Sequence, residues 1–194
     1  MEQKIKILLI GGAENTGKSE LIRSLVVYFL RNKCKFEIEK VIEDSTINLK
    51  HNEDEELKEL DKNEIKSYID KKDKDYFCIA TKSNIKIIIS TASDVEVIID
   101  NLKKYCNKNK PYNFIISPIR DKFFDDKKNN EYRYIRNYFI KTMSINIENV
   151  NTIEIPLAKI NRKKDRRTNS LKWYKEKIFL IAQKILEQEP FNIK

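Results

Sequence analysis

Eight consecutive residues carry the most specific chemistry in this chain: Gly12-Ala13-Glu14-Asn15-Thr16-Gly17-Lys18-Ser19. The spacing GxxxxGK[ST] lets successive backbone N–H groups and a helix N-terminus converge on phosphate oxygens. Gly12, Ala13, Glu14, Asn15 and Thr16 would form the cradle, and Gly17 would allow close approach. Lys18 would supply the cation that reaches β- and γ-phosphates, and the Ser19 hydroxyl would ligate Mg²⁺. The three glycines of the chain, Gly11, Gly12 and Gly17, all fall within seven residues. A sequence that avoids glycine elsewhere retains it where backbone approaches a ligand or adopts positive φ. A chance match is on the order of one in a thousand from this chain's own residue frequencies. The competing reading is a glycine turn capping an ordinary amphipathic helix.

Such a loop needs an acidic partner beyond another strand to position the metal. Asp94 follows the apolar run Ile87-Ile88-Ile89-Ser90-Thr91-Ala92-Ser93, where open α/β sheets place ligand sites. Asp94 also suits an ordinary helix N-terminus, where a carboxylate meets the macrodipole. Glu43 and Asp44 are weaker candidates, better read as a solvated turn. Arg120, after Phe114-Ile115-Ile116-Ser117-Pro118, could touch a transferring phosphate with its planar fork; Asp121 adjoins it. Arg133 and Arg136 lie three apart on a helix face and could serve a lid, or simply make surface ion pairs. The basic run Arg162-Lys163-Lys164-Asp165-Arg166-Arg167, in a loop spanning 159–167, could meet nucleic acid or phosphate; a solvated loop is the plainer reading. Trp173 and Tyr174 follow at helical spacing that favours packing over base stacking.

These residues need a scaffold. Lys4 to Ile10 alternates and then runs apolar, a strand entering a buried sheet. Leu21, Ile22, Leu25, Val26, Phe29 and Leu30 recur at helical spacing, predicting a helix from Lys18 to Arg31. Strands are expected over 36–42, 76–80, 85–90, 113–117 and 152–155, the last two stopped by Pro118 and Pro156. The spacing of 76–80 and 85–90 suggests a hairpin. Helices are expected over 94–105, 131–143 and 171–186. Residues 51–75 are densely charged with a thin apolar stripe, the composition of a helical lid or insertion. The alternation predicts one α/β domain over 1–194, in three layers around a mainly parallel sheet of about five strands, with an antiparallel hairpin or edge strand.

The loop resembles that of the P-loop NTPase superfamily, over roughly the first 30 residues. That resemblance implies ATP or GTP with Mg²⁺ and does not choose a subfamily. With no glycine after Gly17, the DxxG switch of Ras-like GTPases and the glycine-rich signature of transporter ATPases are both missing, and no NKxD guanine reader is present. ATP is therefore preferred over GTP. Three functions follow: phosphoryl transfer to a small molecule or nucleotide; an ATPase or nucleotide-dependent module acting on nucleic acid or protein; or a nucleotide binder with little catalysis.

Net charge is +9, but only eight of the 39 basic residues are arginine, and abundant lysine, asparagine and isoleucine together look compositional. Cys34, Cys78 and Cys106 are odd in number and lack a CxxC pair, so they read as reduced and buried rather than bridged or metal-bound. A single histidine, His51, weakens a zinc reading further. No apolar run is long enough to span a bilayer and no secretory signal begins the chain, so a cytoplasmic setting is expected.

Overall fold

The computed structural model describes residues 5–12, 17–31, 36–43, 59–69, 74–92, 95–120, 137–143, 151–157, 168–189 and 191–193. Six strands form one sheet: β1 (Lys6–Gly12), β2 (Glu37–Glu43), β3 (Tyr76–Lys82), β4 (Ile85–Ser90), β5 (Phe114–Arg120) and β6 (Asn151–Leu157), in spatial order β2-β3-β4-β5-β1-β6. The helices among the described residues are α1 (Lys18–Arg31), α2 (Lys62–Ile69), α3 (Glu96–Lys108), α4 over 137–142 and α5 (Thr168–Glu187).

The expected mainly parallel, three-layer P-loop fold of about five strands is not what forms. The sheet is mixed. β4–β5, β5–β1 and β1–β6 pair in parallel, whereas β2–β3 and β3–β4 pair antiparallel. The physical reason is connection length. Parallel neighbours need a crossover of a dozen or more residues, whereas only Ser83 and Asn84 separate β3 from β4. Ser83 takes φ 52, the left-handed geometry that two-residue hairpins require. The antiparallel strand is not the sheet edge that the hairpin reading suggested: β2 lies beyond it, pairing Glu43 with Tyr76 and Glu37 with Thr81.

Both faces of the sheet are buried, which explains its near-continuous apolar strands. Leu8 and Ile10 of β1, Ile87 and Ile89 of β4, and Phe114 and Ile116 of β5 face one side. There they meet Ile22, Leu25 and Phe29 of α1, Ile65 and Ile69 of α2, and Ala182 and Leu186 of α5. Ile7, Leu9, Ile88 and Ile115 face the other side, against Ile99 and Leu102 of α3 and Phe139 of α4. The period-2 alternation of each strand thus feeds two separate cores.

Two prolines expected to end strands lie inside them. Pro118 pairs with Ile10 in β5. On its other side the ladder to β4 reaches only Ile89↔Ile116, so no bond on that flank is forfeited by the missing N–H. Pro156 sits on edge strand β6, opposite Gly11, where a missing donor is tolerated.

Within the charged 51–75 segment, α2 packs Ile65, Tyr68 and Ile69 into the core. A reciprocal cap starts it: Glu64 N donates to Asp61 Oδ1 at 3.1 Å, and Asp61 N donates to Glu64 Oε2 at 3.3 Å. Leu60 N donates to Val41 O at 2.8 Å, covering part of the free flank of β2.

Candidate functional site

β1 lies between β5 and β6, and its last residue, Gly12, pairs with Arg120 of β5 and Leu157 of β6. All three strands are parallel, so their carboxyl ends form one ledge. The helix after β1 packs on one face of the sheet, and α4, after β5, packs on the other. Neighbouring strands whose chains leave to opposite faces open a crevice at their carboxyl ends, where open α/β sheets bind ligands. Gly12 and Arg120 end their strands side by side by backbone register.

Between Gly12 and Lys18 the chain turns from strand to helix. Gly12 takes φ 150 and Gly17 takes φ 92, values that side-chain-bearing residues rarely adopt. At Gly17 the constraint is backbone angle rather than space, since a Cβ there would meet only Glu20 Oε2, at 3.9 Å. Leu21 N donates to Gly17 O at 2.9 Å, closing the first turn of α1. The preceding N–H groups of that turn have no intrahelical acceptor and point out of the helix start, with the positive end of its dipole.

Lys18 is the chemically telling residue. It is 5 % exposed, and its Nζ donates to Gly12 O at 3.0 Å. A lysine is seldom buried unless its charge is compensated. Here the ammonium folds back over the strand-to-helix turn instead of extending into water. A cation so placed, beside a helix N-terminus, is a donor set suited to a polyphosphate oxygen.

Ser19 is half-buried on the next position of α1. Its direction can be read from Arg23, one turn further along the same helix stripe. Arg23 Nη2 donates to Asp75 Oδ1 at 2.8 Å and Arg23 Nε donates to Lys74 O at 2.9 Å. Thr91, fully buried at the end of β4, donates to the same Asp75 Oδ1 at 3.0 Å and accepts from Tyr76 N at 2.8 Å. The stripe carrying Ser19 therefore turns toward the ends of β3 and β4. Because β3 is antiparallel, its amino end brings Asp75 to the edge of the sheet that also holds Gly12. Asp75 stands about three strand spacings away, on the order of 14 Å. Sequence reasoning about strand carboxyl ends missed Asp75, although the hairpin expected from 76–80 and 85–90 already places the amino end of the first strand beside the carboxyl end of the second.

Of the residues expected at the site, Gly12, Gly17, Lys18 and Ser19 come together at this turn, and the backbone of Arg120 lies beside it. Glu43 is half-buried at the carboxyl end of β2, on the far side of β3. Ala13, Glu14, Asn15, Thr16, Asp44, Asp94, Asp121, Arg133, Arg136, Cys34, His51 and the 159–167 loop lie outside the described residues. Ala92, which ends the described chain before Asp94, accepts a hydrogen bond from Ser90 Oγ. Among the described residues no group of three or more His, Cys, Asp or Glu side chains is arranged to hold a metal. Cys78 and Cys106 are buried free thiols.

A cavity of about 50 Å³ adjoins the turn, between Gly17, Leu21, Leu157 and Tyr174. A wider cleft, about 610 Å³, lies at the opposite edge of the sheet, between the β3–β4 turn, Glu37, Glu39 and Tyr112. Its volume is no guide to the chemistry: Thr81 is engaged with Glu39 and Lys86 with Asn109 O. No helix among the described residues is long and apolar enough to cross a membrane. Neither family profiles nor curated protein sequences match the chain, and no solved structure matches its fold.

Proposed function

We propose that this chain binds ATP with Mg²⁺ through residues 12–19 and serves phosphoryl transfer to a small molecule or nucleotide, or ATP hydrolysis. The observation that carries the reading is Lys18: a buried ammonium at the start of α1, held over the Gly12 carbonyl at 3.0 Å. Lys18 neutralises phosphate charge, the α1 N-terminus orients phosphate oxygens, and Ser19 offers a hydroxyl to the metal. Bound MgATP would supply the transferable phosphoryl group. ATP is favoured over GTP because the chain lacks the usual guanine-reading and switch motifs.

Equilibrium titration of the protein with MgATP tests this. Lys18→Ala should weaken affinity about 100-fold or more, equivalent to about 2.7 kcal/mol. Unchanged affinity and turnover in a folded Lys18→Ala protein would sink the reading. Competition by GTP should be weaker than competition by ADP. ADP release measured with panels of nucleosides, nucleotides and sugars then separates acceptor-dependent transfer from plain hydrolysis.

A further inference from the structure

Four large apolar side chains are strongly exposed among the described residues, and three of them lie on α5: Trp173 at 60 %, Leu180 at 45 % and Ile181 at 47 %. The inner side of α5 is accounted for. Ala182 and Leu186 are buried in the core, Ile178, Phe179 and Ile185 pack against it, and Lys175 pairs with Glu20 of α1 at 2.6 Å. The outer side is not. Residues 173, 177, 180, 181 and 184 follow the spacing of one helix stripe. That stripe therefore reads Trp, Lys, Leu, Ile, Lys, with Lys172 and Glu176 exposed on its flank. Lys177 Nζ stands over the Trp173 ring, 5.9 Å from its centroid.

We propose that this outer face of α5 docks the protein onto an anionic lipid bilayer. Three exposed lysines, Lys172, Lys177 and Lys184, against one exposed glutamate, Glu176, make the surroundings of the apolar side chains positive. Two other occupants fit less well. A second copy would bring Lys177 and Lys184 of each subunit against like charges. The apolar surface offered, on the order of a few hundred Å², falls short of the roughly 800 Å² per partner of a stable interface. A protein partner is disfavoured because lysine is depleted from the buried core of such interfaces, yet here it alternates with the apolar residues. A bilayer accepts this pattern. Tryptophan seats its ring at the headgroup level, leucine and isoleucine enter the acyl boundary, and lysine stems lie along the apolar surface while their ammonium groups reach lipid phosphate. Docking of this kind is peripheral, along the membrane plane, and needs no spanning helix. It is independent of the nucleotide reading.

Trp173 is the single tryptophan of the chain, so its fluorescence reports this face directly. The full-length protein is mixed with vesicles of phosphatidylcholine alone, or of phosphatidylcholine with phosphatidylglycerol, and followed by emission and co-sedimentation. The expected result is a blue shift, quenching by brominated acyl chains, and partitioning at least about tenfold stronger onto the anionic vesicles. Leu180→Ser with Ile181→Ser, both exposed positions and so compatible with folding, should cut that partitioning several-fold. Absence of a Trp173 shift with anionic vesicles overturns the proposal. So does vesicle binding that is unchanged in the double variant, which would reflect net charge alone. A concentration-dependent shift without vesicles, with doubled mass in light scattering, overturns it in favour of self-association.

Discussion

The two halves of the sheet do different jobs with similar residues. The parallel half, β4-β5-β1-β6, aligns the carboxyl ends of four strands and presents Gly12, the backbone of Arg120 and the start of α1 at one edge. The antiparallel half, β2-β3, buries Phe77, Cys78, Ile79 and Ala80 completely but leaves Glu37 and Glu39 of β2 exposed. It sends the amino end of β3 and the carboxyl end of β2, where Glu43 pairs with Tyr76, to that edge. What separates the halves is the glycine turn, which follows β1 in the parallel half and leads into α1. The halves are joined at that edge by Arg23, Asp75 and Thr91, which tie the helix after the glycine turn to the ends of β3 and β4.

Large-to-small changes in each half should separate stability from binding. Ile79→Ala and Ile10→Ala both remove fully buried side chains and should each cost about 2–5 kcal/mol in urea unfolding. Only Ile10→Ala, two residues before Gly12, should also weaken MgATP binding by the folded protein. Equal loss of binding in both variants would erase the division of labour.

Gly17→Ala is the next largest. Its φ of 92 makes any side chain strained, at about 1–2 kcal/mol of stability, although there is room for the methyl. Thermal unfolding should show that loss, and nucleotide titration a drop in affinity as the turn readjusts. Preserved affinity would mean that the turn is structural only.

The joint between the halves should matter less. Asp75→Asn and Arg23→Met should each cost about 1 kcal/mol, since both side chains are partly solvated and the ion pair is screened. The double variant should cost little more than either single change, because the two residues share one interaction. Full additivity would show that the tie does not exist in solution.

The smallest effect concerns pH and the second core. Burial pushes the Cys106 thiol up from 9.0 to about 12 and raises Cys78 as well. A raised thiol favours the native state while the unfolded thiol is still neutral. The contribution is thus complete below pH 9 and is lost as pH climbs from 9 toward about 12. Cys106→Ala should flatten the decline of unfolding free energy over that window. An unchanged slope would show that Cys106 does not contribute to it.

Several elements were legible because their signals are local. The residue types from Lys4 to Arg31 announce a buried strand, a glycine turn and an amphipathic helix, and β1 and α1 occupy those positions. The cap of α2 was equally open to reading: Asp61 and Glu64 stand three apart before an apolar stripe, a signature overlooked amid the surrounding charge. Pro118 and Pro156 misled because a proline stops a strand only where its missing N–H is needed, and that depends on which flank is paired. Trp173, expected to pack or to be partly exposed, lies on the outer face of α5, since helical spacing alone does not say which face the core takes.

Local chemistry determined the glycine turn, the lysine and serine that follow it, and the two-sided apolar strands. Those depend on backbone conformations and alternation that a few neighbouring residues set among themselves. Tertiary structure alone decided that β2 lies beyond the β3–β4 hairpin, that β1 is inserted between β5 and β6, that Asp75 is tied to Arg23 of α1, and that Lys18 is buried over a carbonyl. Strand order comes from long-range pairing, where each choice is made by the burial of both sheet faces together and not by any one segment's sequence, whereas the direction of β3 against β4 is set by their two-residue turn.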